Sequence, residues 1–170
     1  MKANTETDQN LGIFRKPTLE DGAQVWELVK STGVLDLNSS YQYLMWCNYF
    51  SDTSVVVEQN DKIVGFISGF TNPKQTNTLF VWQVAVHESQ RGKGLATKML
   101  HYILDQDACK EINYVEATIS PSNIPSQKLF QGLARDLNTE IKVSDCFKAS
   151  DFPETGHEDE DSHLIGPFNQ

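Results

Sequence analysis

Gln90-Arg91-Gly92-Lys93-Gly94-Leu95-Ala96 lies between a run of alternating apolar residues and a stretch of helical periodicity. Upstream, the strand expected over Thr78–Val86 puts Phe80, Trp82, Val84 and Val86 on one face. Downstream, Leu95, Met99, Leu100, Ile103 and Leu104 form one stripe of a helix expected over Gly94–Gln106. Gly92 and Gly94 let the connecting backbone turn tightly and approach a ligand with no Cβ in the way. The first N–H groups of the helix point outward, and with the helix dipole they suit a phosphate. Arg91 and Lys93 add positive charge to the same turn. The pattern is neither G-x-x-x-x-G-K-[ST] nor G-x-G-x-x-G, and no second dinucleotide-binding half follows. The competing reading is a plain strand-to-helix turn with two flexible glycines.

Working toward the N-terminus, Ser54–Gln59 and Lys62–Phe70 read as strands. Asn60-Asp61 joins them as a hairpin, because both residues tolerate positive φ. Thr18-Leu-Glu-Asp21 fits a capping box opening a helix that Gly33 ends, and Asn38 or Ser39 can cap a second, aromatic-rich helix through about Phe50. Gly12–Lys16 reads as a short strand, and residues 1–10 as a disordered arm. Toward the C-terminus, a strand is expected over Asn113–Ile119 and a helix opened by Pro125 through about Leu137. Glu140–Phe147 and His163–Pro167 read as late strands, separated by a mobile acidic segment, Gly156–Asp161. Mixed strands and interspersed helices give an α+β fold, with one domain over residues 11–170.

The net charge of −9 argues against nucleic acid and anionic membrane as partners and suits a cationic small substrate. Cys47, Cys109 and Cys146 form no C-x-x-C pair, and the four histidines show no H-E-x-x-H spacing, so no disulfide framework or metal site is expected. No apolar run approaches the ~20 residues of a membrane span, and the polar N-terminus carries no signal-peptide core. A cytoplasmic protein is expected.

Arg91-x-x-Gly94-x-Ala96 resembles the R/Q-x-x-G-x-G/A motif of the GCN5-related N-acetyltransferase (GNAT) family at every fixed position. Val84-Ala85-Val86 looks like the strand end whose backbone bonds the pantetheine arm, and Asn123 like the asparagine that often contacts coenzyme A. The resemblance implies acetyl-CoA as cosubstrate, held by Val84, Ala85, Val86, Arg91, Gly92, Lys93, Gly94, Leu95, Ala96, Thr97 and Asn123. It also implies a GNAT fold: a central, mixed, mostly antiparallel twisted sheet, flanked by helices and splayed around Val84 and Val115 at the acetyl-CoA site. Where members often carry a tyrosine that protonates the departing thiolate, this chain has Phe130, so water must serve or no acid is used.

Val34-Leu-Asp-Leu-Asn-Ser-Ser-Tyr41, Phe80–Val86 and Gly156-His-Glu-Asp-Glu160 resemble the diaminobutyrate acetyltransferases within that family. This implies acetylation of the γ-amine of L-2,4-diaminobutyrate in ectoine biosynthesis under osmotic stress, by a homodimer. The implied substrate contacts are Asp36, Asn38, Ser39, Tyr41, Trp82, Glu116 and Thr118. Glu116 and Glu158, then His157, are the candidate bases for an amine that must attack uncharged. Each has a plainer alternative. Asp36 reads equally as a turn residue, Trp82 as core, Tyr41 as helix packing, Glu116 as half of a buried ion pair, and His157-Glu158 as a solvated charge run. A transferase acting on a polyamine or protein lysine, and a non-catalytic acyl-CoA-binding module, remain the competing functions.

Overall fold

The computed structural model describes residues 6–169, whose chain divides into two compact units. The first takes the chain up to Phe70 together with Val81–Lys110; the second takes Thr71–Phe80 and the chain from Glu111 onward.

In the first unit, strands β1 (Glu6–Asp8), β2 (Gly12–Arg15), β3 (Val55–Gln59) and β4 (Lys62–Thr71) are antiparallel neighbours, and β5 (Thr78–Val86) follows β4 in strand order. The β3–β4 hairpin turns on Asn60 and Asp61, both at positive φ. Helices α1 (Gly22–Thr32) and α2 (Ser40–Tyr49) pack on each other, and Val25, Leu28 and Val29 share a core with Tyr43, Cys47, Val56, Phe66 and Ala85. Gly33, at φ 65, ends α1 because a left-handed residue cannot continue the helix. Helix α3 (Leu95–Leu104) seats its buried stripe close against the sheet: a Cβ on Gly65 would come within 2.9 Å of Met99 Sδ.

In the second unit, Thr78–Phe80 of β5 pair in parallel with Tyr114–Glu116 of β6 (Tyr114–Ile119). Helix α4 (Ile124–Asp136) follows, then β7 (Ile141–Phe147) and β8 (Glu160–Ile165), with β8 antiparallel to both β6 and β7. Val115, Ala117 and Ile119 of β6 are buried, while Tyr114, Glu116 and Thr118 on the opposite face are half-buried. Among the described residues, the strand order β1-β2-β3-β4-β5-β6-β8-β7 is thus a mixed, mostly antiparallel sheet, and with the four α-helices it gives an α+β fold.

Two expectations are corrected. Within the segment read as a disordered arm, Glu6–Asp8 pairs with β2, and the Asp8 carboxylate caps the turn by accepting from the N–H groups of Asn10 and Leu11. Met1–Thr5 lie outside the described residues. The acidic segment is not a free loop throughout: Glu160 and Asp161 already belong to β8, and Asp159 accepts from the N–H of Ala149 and from Lys148 Nζ.

Candidate active site

The glycine turn has the backbone that an anion site requires. Gly92 and Gly94 stand at φ 75 and 76, and Gly94 is the residue from which α3 starts. A Cβ built on either glycine meets nothing within 4 Å, so the space above the turn is open. Arg91, Gly92, Lys93 and Gly94 are exposed, and Ala96 and Thr97 are half-buried. Leu95 is 1% exposed, so it offers a ligand its main-chain N–H rather than its side chain. Gln90, whose side chain was not foreseen, lies buried beneath the turn. It donates to Gln59 Oε1 at 2.9 Å and accepts from Lys93 Nζ at 3.4 Å. The turn is thereby tied to the β3–β4 hairpin.

In the same unit, α2 and strands β4 and β5 enclose a recess lined by Gln42, Tyr43, Trp46, Phe66, Ser68, Trp82 and Gln83. Trp82 is 45% exposed and rests its ring on Trp46 at 4.9 Å, so it is not a core residue. Gln83, on the opposite, buried face of β5, was missed by sequence reading. Its Nε2 donates to the Asp36 carbonyl at 2.8 Å, and its Oε1 accepts from Tyr43 Oη at 3.0 Å. Tyr43 Oη also accepts from the Asn38 N–H at 3.4 Å, so one buried amide and one phenol hold the loop that carries Asp36. Asp36 and Tyr41 are exposed, and Ser39 caps α2 by accepting from the Gln42 N–H. A polar residue on the core side of an apolar strand was the signal that could have found Gln83.

The candidate bases all belong to the second unit, where Glu116 makes contacts separate from those of His157 and Glu158. Glu116 Oε1 accepts from Ser162 Oγ at 2.7 Å, and Oε2 lies 3.5 Å from Asn72 Nδ2. Both donors are neutral, unlike the cation of a buried ion pair. Thr118 sits opposite Ser162 in the β6–β8 register, on the same face. Glu158 accepts from Ser122 Oγ. The His157 ring stacks on Phe152 with centroids 3.6 Å apart, and its Nδ1 lies 2.7 Å from the Glu158 carbonyl. Asn123 Oδ1 accepts from the Ser126 N–H as the cap of α4, which leaves its amide NH₂ for another partner. Phe130 is buried in α4 and has no proton to give.

The two buried thiols, Cys47 and Cys109, are poor nucleophiles here. Burial pushes Cys47 up to about 12 and Cys109 to about 11, and burial together with Glu116, Asp161 and Glu160 raises Cys146. Among the described residues, no group of three His, Cys, Asp or Glu side chains is placed to hold a metal ion. No helix among them is long and apolar enough to cross a membrane.

Residues 23–134 match the model of the acetyltransferase (GNAT) family. The chain is 55% identical over 154 residues to the L-2,4-diaminobutyric acid acetyltransferase of Virgibacillus pantothenticus, covering 91% of this chain and 97% of that one. It is 52% identical over 158 residues to the enzyme of the same name from Marinococcus halophilus, covering 93% and 91%. Among solved structures, it resembles the diaminobutyrate acetyltransferase EctA of Paenibacillus lautus in complex with its substrate L-2,4-diaminobutyric acid and coenzyme A. That match has a TM-score of 0.89 and 44% identity over 98% of both chains.

Proposed function

The chain belongs to the acetyltransferase (GNAT) family, and from that premise we propose that it transfers acetyl from acetyl-CoA to the γ-amine of L-2,4-diaminobutyrate. The product is N4-acetyl-L-2,4-diaminobutyrate, an intermediate of ectoine biosynthesis under osmotic stress. The observation that carries the reading is the near-full-length likeness to EctA of Paenibacillus lautus, whose structure contains that substrate and coenzyme A.

The N–H groups and glycines of Arg91–Thr97, with the charges of Arg91 and Lys93, take the pyrophosphate. Val84, Ala85 and Val86 bond the pantetheine arm through their backbone, and the amide of Asn123 gives a further contact. Backbone N–H near Val84 stabilises the negative charge that develops on the thioester oxygen. The acceptor contacts on this reading are Asp36, Asn38, Ser39, Tyr41 and Trp82 from the first unit and Thr118 from the second, with carboxylate and aromatic face suited to ammonium.

The γ-amine reacts only as the free base, and at pH 7 shedding its proton costs about 4–5 kcal/mol for a lysine-like pKa. Glu116 takes that proton, its carboxylate being oriented by Ser162 and Asn72. Glu158 and His157 are the next candidates. As the new C–N bond forms and the C–S bond breaks, the nitrogen sheds its second proton to water, and the thiolate of coenzyme A takes one from water, since Phe130 has none to offer.

The enzyme works in the cytoplasm as a homodimer. Support for the dimer comes from β7, the last strand in the order, where Val143 and Phe147 are 54% and 50% exposed. Thiol release from acetyl-CoA over diaminobutyrate, spermidine and a lysine peptide tests the reading. Diaminobutyrate is expected to be the preferred acceptor by kcat/KM; preference for either other amine overturns it.

A further inference from the structure

Two side-chain amides run in line from the β1–β2 turn to the glycine turn, and their direction is fixed. Gln59 Nε2 donates to the main-chain carbonyl of Asn10 at 3.4 Å. A carbonyl can only accept, so the Gln59 amide has one orientation, with Oε1 turned the other way. That oxygen accepts from Gln90 Nε2 at 2.9 Å. Gln90 Nε2 also donates to Ser89 Oγ at 3.3 Å, which spends both of its hydrogens. Its oxygen is left to face the turn, where Lys93 Nζ donates to it at 3.4 Å. Gln90 is 4% exposed, so its amide is costly to leave unpaired and is oriented by partners rather than by solvent.

An amide oxygen receives an ammonium but not a phosphate, since both are acceptors. What the turn presents to an anion at this point is therefore Lys93. Its side chain is exposed, and a lysine that moves freely loses rotamer entropy when a ligand fixes it. Holding the ammonium beforehand removes part of that loss. Gln90 is neutral, so it orients the charge without cancelling it, and two hydrogens of the ammonium stay available to a ligand.

We propose that Gln90 is a positioning residue for coenzyme binding. It holds the Lys93 ammonium at the turn for a phosphate of acetyl-CoA, and Gln59 with the Asn10 carbonyl fixes the direction of its amide. This rests on the coenzyme reading given above.

The test is a double-mutant cycle on coenzyme A binding, read by calorimetric titration. Gln90→Met keeps the length of the side chain and removes the amide. Kd is expected to rise roughly 3- to 10-fold, the worth of one hydrogen bond. In a Lys93→Met background the same change should move Kd less than ~2-fold, because Gln90 then has no cation to hold. Equal losses in the two backgrounds would mean that Gln90 acts through the backbone of the turn, and would overturn the proposal. No loss in either overturns it too. Should Gln90→Met fail to fold, Gln59→Met takes its place: Gln59 is half-buried, and without it the Gln90 amide is free to turn over. Its loss must likewise be confined to protein that has Lys93, and a loss in both backgrounds or in neither overturns the proposal. Repeating the cycle with 3′-dephospho-coenzyme A tells which phosphate is met. Coupling that survives assigns the ammonium to the pyrophosphate, coupling that vanishes assigns it to the 3′-phosphate, and either bears the proposal out. If the unaltered protein does not bind coenzyme A, the coenzyme reading falls and the proposal with it; binding without coupling strikes the proposal alone.

Discussion

The side-chain amide of Gln83 donates to the main-chain carbonyl of Asp36 at 2.8 Å, joining the interior of β5 to an exposed loop 47 residues earlier in sequence. Gln83→Leu removes both this bond and the acceptor for the Tyr43 hydroxyl. We expect a loss of about 1–3 kcal/mol in stability, the cost of leaving a buried polar group unpaired. We also expect a raised KM for diaminobutyrate with acetyl-CoA binding nearly intact. Urea titration and steady-state kinetics check this. A stable variant with an unchanged KM would show that the loop holds its place without Gln83.

Asp36→Ala and Trp82→Ala probe the pocket itself. Asp36 is exposed, so Asp36→Ala should fold with little change in melting temperature; Trp82 is 45% exposed but packs its ring on Trp46, so Trp82→Ala should fold with a lowered melting temperature. KM for the amine should rise while the coenzyme's stays put. Normal kinetics in either variant would return that residue to a purely structural role.

Gly94→Val tests the coenzyme turn. A Cβ there strikes no protein atom, but φ of +76 is unfavourable to any L side chain and worst for a β-branched one. The fold should lose about 1–2 kcal/mol from this strain. Acetyl-CoA affinity should fall at least ~10-fold as the backbone withdraws from the phosphate, with the amine affected far less. Calorimetric titration of the folded variant with coenzyme A separates the two effects, and an unaltered Kd would remove the phosphate role.

Glu116→Gln and Glu158→Gln, made separately, identify the base. Loss of the true base should depress turnover most near neutral pH, with partial rescue as pH approaches the amine's own pKa of ~10.4. The product should carry acetyl on the γ-nitrogen by NMR; α-acetylation would overturn the pose. If both amide variants keep their neutral-pH rate, His157 or water takes the proton.

Stability should fall with acid in two separate windows. Burial holds His163 below its ordinary 6.5, with Asp161 opposing the shift weakly. A lowered folded pKa means the unfolded chain binds the proton more tightly, so this contribution is complete above pH 6.5 and is lost as pH drops below it. Burial alone would raise Asp21, but hydrogen bonds from Arg15 and from the Thr18 N–H hold it below 3.8. Its contribution is complete above that value and is lost as pH falls further. His163→Gln should flatten the first window, and Asp21→Asn the second, in urea midpoints measured from pH 8 to pH 3. A variant that keeps the slope clears its residue of responsibility.

Local signals were legible in the sequence, and long-range ones were not. Asn60-Asp61, Gly33 and Gly94 announce their positive φ because the constraint sits in the residue itself. Thr78–Val86 is read to the residue from alternation. Glu6–Asp8 was invisible because a polar strand exists only through pairing with β2. Glu160 and Asp161 likewise join β8 through partners on β6 and β7, against their own propensity. Gln83 and Gln90 escaped notice because each acts on residues far away in sequence.

Trp46 and Trp82 are two of the three tryptophans in the chain, and their rings lie 4.9 Å apart at 60° beside the recess. Transition dipoles so close and so inclined couple, splitting the indole bands into a circular-dichroism couplet. The third, Trp26, sits under the Lys30 ammonium on α1 and contributes a steady background. The molecule therefore carries a native optical gauge of this one locality. Any occupant that shifts the inclination of the two rings changes this sign-paired signal, which overlies the backbone's own far-ultraviolet bands, so occupancy can be followed in unlabelled protein as the difference between the free and occupied spectra.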